Sequence, residues 1–361
     1  MHIDEVSGLA TIEGVATSTA AFIGESADAD LGAATEVRSV AEFEAAYEGL
    51  PSSSELGVAV SQFFANGGSD AWVVGVPEGT SLVEGLASLD AVDVLNLVCL
   101  PGEADVEVLR AVLEYADRRR AFVVVDPRGA NLEATIALAE SLAAAGSANG
   151  AVYFPPVRVL NQAGGVTMCA PSGAVAGMYA RVDRSVGVWK TPSGENAVLP
   201  AVVAPAVELD EDAIAKLRAG AVNPIRTSPS RGIRVWGART LQGGEGSSSD
   251  WKYVPVRRLG LYIEESLYRG TQWAVFEPND ERLWGKLRRQ CQLFLYVLFQ
   301  AGAFPGRTAD EAFLVRCGRD TMTQEDIDTG RLTILIGIAP VRPAEFVIIR
   351  ISQWMAGSCR R

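Results

Sequence analysis

Histidine is almost missing from this chain of 361 residues: there is one, His2, beside the start. Its scarcity removes the base on which Ser-His-Asp and Cys-His nucleophile systems depend, and it excludes histidine-rich zinc sites. Cysteine is scarce as well. Cys99, Cys169, Cys291, Cys317 and Cys359 are odd in number, widely spaced and never arranged as C-x-x-C. Free buried thiols in a reducing cytoplasm are the expectation. No apolar run reaches the length of a membrane span, and the opening "MHIDEVSGLA" lacks the basic and apolar regions of a secretory signal. Neither a G-x-S-x-G elbow, a phosphate loop ending in G-K-[ST], nor a G-x-G-x-x-G turn occurs. Dense Lys/Arg blocks with interleaved aromatics are absent too, so nucleic acid is not an expected partner.

What remains of reactive chemistry is thin. "DERLW" and "QEDID" cluster carboxylates, and Asp320, Glu325, Asp326 and Asp328 have the hardness a cation needs. They lack the regular ligand spacing of a calcium loop, and they read as charge around helix and strand ends. Ser172 in "CAPSGAVAG" reads as a helix N-cap. "FANGGSD" and "QGGEGSSSD" are turns, because neither sits between a strand and a helix as phosphate binding requires. No catalytic, cofactor-binding or metal-binding residue is assigned, and no enzyme activity is expected.

Charge is unevenly distributed. Residues 1–150 carry 6 basic and 24 acidic side chains, whereas 151–361 carry 26 basic and 20 acidic, within a net charge of −12. Such polarity suits one region facing solvent and another facing an acidic partner.

From residue 57 the chain alternates apolar strands with amphipathic helices. Helices are predicted over 39–49, 57–68, 105–120, 131–146 and 171–189, and strands over 70–76, 94–102, 121–129 and from 150. This alternation predicts an α/β fold: a largely parallel sheet covered by helices on both faces. Composition then shifts: residues 190–250 are rich in Pro, Gly and Ser and end in "QGGEGSSSD", read as an exposed flexible loop. A second, basic and aromatic-rich region follows. Its long helix, in "NDERLWGKLRRQCQLFLYVLFQAG", is capped by Asn279 or Asp280. Leu283, Leu287, Cys291, Phe294 and Leu298 share a core-facing side, while Arg282, Lys286 and Arg289 share a stripe opposite. Three strands close the chain, and the last, "EFVIIRISQ", is apolar on both faces. A chain end of that kind needs a strand partner. Four segments result: an N-terminal arm (1–23), an outer α/β domain (24–245), an inner α+β domain (246–345) and a C-terminal arm (346–361). On the residues alone an α/β enzyme of unknown reaction, without histidine-dependent chemistry, stays open as the alternative.

Long motifs narrow the choice. "YIEESLYRGTQWAVFEPNDERLW", "GRDTMTQEDIDTGRL" and "IGIAPVRPAEFVIIRISQ", with "EGVATSTAAFIG" near the start, strongly resemble contractile tail sheath proteins of phage tails, R-type bacteriocins and extracellular contractile injection systems. The resemblance is close over about the last quarter of the chain and general elsewhere. It implies a structural subunit that polymerises helically around an inner tube and contracts to drive that tube through a target envelope. It further implies strand exchange between subunits through two arms, carried here by Ile12, Val15, Thr17 and Phe22 and by Phe346, Val347, Ile348, Ile349 and Ile351. Arg282, Lys286 and Arg289 are then the expected inner-tube contact. The implied partners are other copies of the chain, the inner tube, and baseplate and terminal cap proteins, with no cofactor, nucleic acid or direct membrane binding. Assembly is expected in the cytoplasm, with release as part of an extracellular tail-like particle.

Overall fold

A computed structural model describes residues 11–26, 33–47, 54–127, 129–161, 164–229 and 231–339, together with the backbone of 347–354. The expectations for residues 1–10, Phe346 and 355–361 lie outside the described residues. Two compact units are distinguished: Ala16–Leu259, and Met1–Val15 with Gly260–Arg361. The divisions fall after Val15 and Leu259, whereas the sequence suggested residues 23 and 245.

In the larger unit the strands are β1 (Ala20–Glu25), β2 (Thr35–Val37), β3 (Ala71–Val76), β4 (Leu97–Cys99), β5 (Phe122–Val125), β6 (Gly150–Phe154), β7 (Val157–Leu160), β8 (Val166–Cys169), β9 (Val202–Pro205), β10 (Val222–Ser228) and β11 (Gly232–Val235). Its helices are α1 (Val40–Ala46), α2 (Glu55–Ala65), α3 (Val106–Arg119), α4 (Leu132–Ala143), α5 (Ser172–Ser185), α6 (Glu211–Ala219) and the first part of α7 (Val254–Gly270). The main sheet runs β11-β10-β6-β5-β4-β1-β3-β2. Its inner strands pair in parallel, and the two edge strands β2 and β11 pair antiparallel. The sequence "FVVV" of β5 is buried throughout, as a strand covered on both faces must be. Side-chain oxygens of Ser39, Ser54, Asp105, Asn131 and Asp210 accept from first-turn amides and so start five of the helices.

α2 and α5 pack at backbone contact. A Cβ at Gly173 would lie 2.1 Å from the Ala59 carbonyl oxygen, and one at Gly177 would lie 2.2 Å from that of Phe63. The glycines of "SGAVAG" are therefore there for close approach, which any larger side chain would prevent.

Two expectations change here. Phe22, assigned to the N-terminal arm, is fully buried in β1 between β3 and β4, in the interior of the main sheet. Small apolar residues serve an arm and a buried strand equally well, so composition did not separate them. Ser172 does not cap α5; Pro171 holds that position, and the buried Ser172 amide donates to Asp126. Residues 190–250, in which composition alone marked no element, hold β9, α6, β10 and β11, and β10 extends the main sheet alongside β6. Pro224 lies inside β10, and a proline ordinarily demotes a run to an edge strand.

The smaller unit contains the rest of α7, then α8 (Glu281–Gln300), α9 (Ala309–Ala312), β12 (Phe313–Arg316), α10 (Gln324–Asp328), β13 (Arg331–Ile338) and β14 (Val347–Trp354). Its antiparallel sheet runs β12-β13-β14. Asp280 caps α8 by accepting from the Leu283 amide at 2.9 Å, while Asn279 accepts from the Trp284 indole N–H at 2.8 Å. Leu283, Leu287, Cys291, Phe294 and Leu298 are all buried on the core side of α8. Among the described residues no helix is long and apolar enough to cross a membrane.

Candidate assembly surfaces

The N-terminal segment lies along its own chain. Ile12 is 8% exposed and packs against Gly270, where an added Cβ would come within 2.6 Å of it. Gly14 touches the Tyr262 ring, and the Val15 amide donates to Ser266 Oγ at 3.1 Å. In the larger unit the Thr17 carbonyl accepts from the Arg258 guanidinium at 2.9 Å, and the Thr19 amide donates to Asn96 Oδ1 at 3.0 Å.

Arg258 is itself a buried cation. Its two terminal nitrogens donate to Asp183 Oδ1 and Oδ2 at 3.0 and 2.6 Å, and both side chains are 3% exposed. The guanidinium stands 4.4 Å from the Tyr179 ring centroid, and the Tyr179 hydroxyl is hydrogen-bonded to that of Tyr153. Burial alone depresses the arginine's pKa, but the Asp183 carboxylate and the two tyrosines outweigh it, and the net direction is upward. A fixed positive charge thus holds the root of the N-terminal segment against α5.

At the other end of the chain, β14 pairs with β13 in an unbroken antiparallel register from Ile338↔Val347 to Arg331↔Trp354. The two strands are joined by residues 339–346, more than a tight hairpin requires. β14 forms one edge of its sheet and β12 the other. Val347, Ile348, Ile349 and Ile351 thus sit on an edge strand.

The solvent side of α8 changes character along its length. Arg282 and Arg289 are exposed, and neither forms an ion pair among the described residues. Lys286 is half-buried, with its ammonium 4.1 Å from the centroid of Trp273. That cation–π contact couples the middle of the stripe to the turn before the helix, and nothing in the local spacing signals it. Beyond Arg289 the same side carries Leu293, Tyr296 and Val297, which are 47%, 47% and 64% exposed.

The described residues also form a cleft of the kind that seats chemistry. Strand order reverses about β1, and the crevice beyond the ends of β1, β3 and β4 is where doubly wound sheets bind ligands. A cleft of about 390 Å³ lies there, with Glu25, Glu55 and Glu103 in its lining. Nearby, Asp126 is fully buried and accepts from the amides of Ser172 and Gly102. Burial raises its pKa to about 7, against the lowering effect of those hydrogen bonds. Of the lining carboxylates, Glu103 is bonded to its own turn at the Ala104 and Asp105 amides. Of the clustered acids in "QEDID", Asp326 forms a capping box with Thr323 and pairs with Arg331 at 3.2 Å. Hydrogen bonds from the Thr323 amide and hydroxyl hold its carboxyl below the ordinary range. Among the described residues no group of three or more His, Cys, Asp or Glu is placed to hold a metal ion.

The cysteines are set apart from solvent. Cys99, Cys169, Cys291 and Cys317 are free and buried. Burial pushes the thiols of Cys169, Cys291 and Cys317 up to about 12 and that of Cys99 well above its ordinary value.

The larger unit is thus an α/β body, and the smaller unit carries a docked N-terminal segment and an edge strand. Comparison with known proteins makes this specific. Residues 75–241 match the phage tail sheath protein central domain, and residues 246–353 match the phage tail sheath C-terminal domain. The chain is similar to the anti-feeding prophage helical sheath in its contracted state, with 30% identity, 98% of each chain covered and a TM-score of 0.75. It is similar to the contracted PVC sheath complex of an extracellular contractile injection system, with 29% identity, 98% of this chain and 96% of that chain covered, and a TM-score of 0.78. A sheath tail protein from Listeria innocua shares the fold, with 11% identity, 96% and 97% coverage and a TM-score of 0.68. Among curated proteins there is no match. The chain belongs to the phage tail sheath family. Within it, this is a structural sheath subunit of the contractile injection type.

Proposed function

We propose that the chain polymerises in rings around an inner tube, linked by strand exchange, and contracts to drive the tube through a target envelope. It does so without catalysing a reaction. The observation that carries this reading is β14: an eight-residue edge strand at the chain's end, reached through a connection longer than its turn needs. Exchanging β14 between copies keeps every ladder hydrogen bond and adds only a covalent path from one subunit to the next. Rigid bodies joined in this way can rotate and slide while remaining connected. Ile12, Val15 and Thr17 belong to the opposite linkage, through the segment that precedes β1. On this reading Arg282, Lys286 and Arg289 face an acidic tube. Exposed ion pairs contribute only about 0–1 kcal/mol each, but they repeat along the tube and are salt-sensitive. The baseplate and a terminal cap bound the polymer. Subunits assemble in the cytoplasm, and the particle acts outside the cell.

Strand complementation tests the reading. A chain truncated after Ala339 should keep a folded larger unit and form no tubes. A separate peptide of residues 340–361 should bind the truncated chain and restore its protection of β13 amides from hydrogen exchange. Tubes formed by the truncated chain alone would refute strand exchange.

A further inference from the structure

One residue in the smaller unit is conspicuously out of place in water. Phe276, at the end of the short turn Gln272–Phe276, is 85% exposed. It is held there by its surroundings. Ala274 on one side is fully buried, and beyond Pro278 the Asn279 side chain donates toward the Ile327 and Arg331 carbonyls and accepts from Trp284. The backbone that presents the ring is therefore anchored on both sides, which lowers the entropic cost of docking it.

The same unit carries an apolar groove of about 160 Å³, lined by Ile12, Tyr262, Leu293, Phe294, Val297 and Leu298. A cavity of about 150 Å³ with such a lining is large enough for benzene. Phe276 is not among the groove's own lining residues. Along α8 the distance from Glu281 to Val297 is about 24 Å at roughly 1.5 Å per residue, so knob and groove occupy different ends of the helix. The groove lies on the flank of α8, beside the crest that carries Arg282 and Arg289.

We infer that Phe276 of one subunit inserts into the Ile12–Tyr262–Val297 groove of a neighbouring copy of this chain. The occupant follows from three observations together. Knob and groove match in size and apolar character, both are present on every chain, and they lie on different surfaces of it. A contact between two different patches of one molecule is heterologous and does not close on itself, so its repetition makes a helical polymer. A sheath subunit forms such a polymer. Buried aromatic anchors are also the residues on which interface energy concentrates. The groove wall includes Ile12, so insertion would also load the N-terminal segment in the receiving subunit.

The test uses the full chain assembling into sheath. Glu277→Cys beside the knob and Thr11→Cys on the groove rim leave both apolar surfaces intact, and the described native thiols are buried. With a short bridging bis-thiol reagent, assembled sheath of the double variant should give a ladder of covalent dimers, trimers and longer chains, and the single variants should give none. Phe276→Ala should raise the critical concentration for assembly by about 30-fold or more, the factor that corresponds to an interface hot spot. Its thermal melt should be unchanged, because the ring is exposed in the free subunit. Assembled sheath without the ladder overturns the inference, and so does a Phe276→Ala chain that assembles at the native concentration. A cross-link from the rim to a cysteine at Val6→Cys or to the inner tube, in place of residue 277, would overturn it and assign the groove to that occupant.

Discussion

Replacing Arg258 by methionine should be among the most damaging single changes in the larger unit, and its size can be worked out from the surroundings. The substitution keeps the length of the side chain but deletes its charge and its donors. Asp183 is then left as a buried carboxylate, 3% exposed, without its two hydrogen bonds from the guanidinium. Breaking one partner of a buried pair costs about 3–5 kcal/mol. The Thr17 carbonyl also loses its donor, which adds about 1 kcal/mol if water does not replace it. A loss of about 4 kcal/mol corresponds to a drop in Tm of about 8–16 °C for a unit of this size. The double replacement Arg258→Met with Asp183→Leu removes the stranded charge, so it should be more stable than Arg258→Met alone by about 2 kcal/mol or more. It should not reach the native value, since Thr17 stays unpartnered. The assay is urea denaturation followed by circular dichroism, at concentrations below assembly, on the native chain, both single variants and the double. A single-variant cost under about 1 kcal/mol would refute the reasoning. So would a double variant no more stable than the worse single, because the buried charge would then not be the source of the loss.

Reversing Arg282 and Arg289 together to glutamate should impair co-assembly with the inner tube, most visibly at low salt, and leave self-association intact; co-sedimentation with tube at two ionic strengths checks it. Lys286→Glu should cost stability as well, because the ammonium stacks on Trp273. Asp126→Asn should flatten a pH dependence. The folded pKa of about 7 exceeds the ordinary unfolded value of about 3.9, so the native state holds the extra proton between them and stability falls as pH rises from about 4 to 7. The asparagine variant should gain on the native chain by up to about 4 kcal/mol between pH 4 and 8, and parallel stability curves would count against the buried carboxyl as its cause.

The parts of this molecule that were legible in the sequence are those whose pattern is local. The buried side of α8 could be read from the spacing of Leu283, Leu287, Cys291, Phe294 and Leu298, because one helix face writes one period. The parallel sheet showed in "FVVV" and in its alternation with amphipathic helices. β14 showed in its two apolar faces. What was not legible depends on residues distant in sequence. Arg258 and Asp183 are 75 positions apart, and each alone reads as an ordinary helix-surface charge. Lys286 looked like one more member of a basic stripe until Trp273 came to lie over it. The segment from 200 to 235 was hidden because its strands are short and carry proline or glycine, so only their pairing with the sheet identifies them. Phe22 belongs to a stretch whose small residues suit an arm and a core strand alike.

The buried thiols have a consequence for a particle that meets an oxidising medium. A thiol with a pKa near 12 is almost never a thiolate at neutral pH, and thiolate is the form that attacks oxidants and disulfides. Exposure to an oxidising medium therefore leaves Cys99, Cys169, Cys291 and Cys317 as they were. Subunits meant to slide past one another acquire no covalent ties at these four positions, however long the loaded sheath waits before it fires.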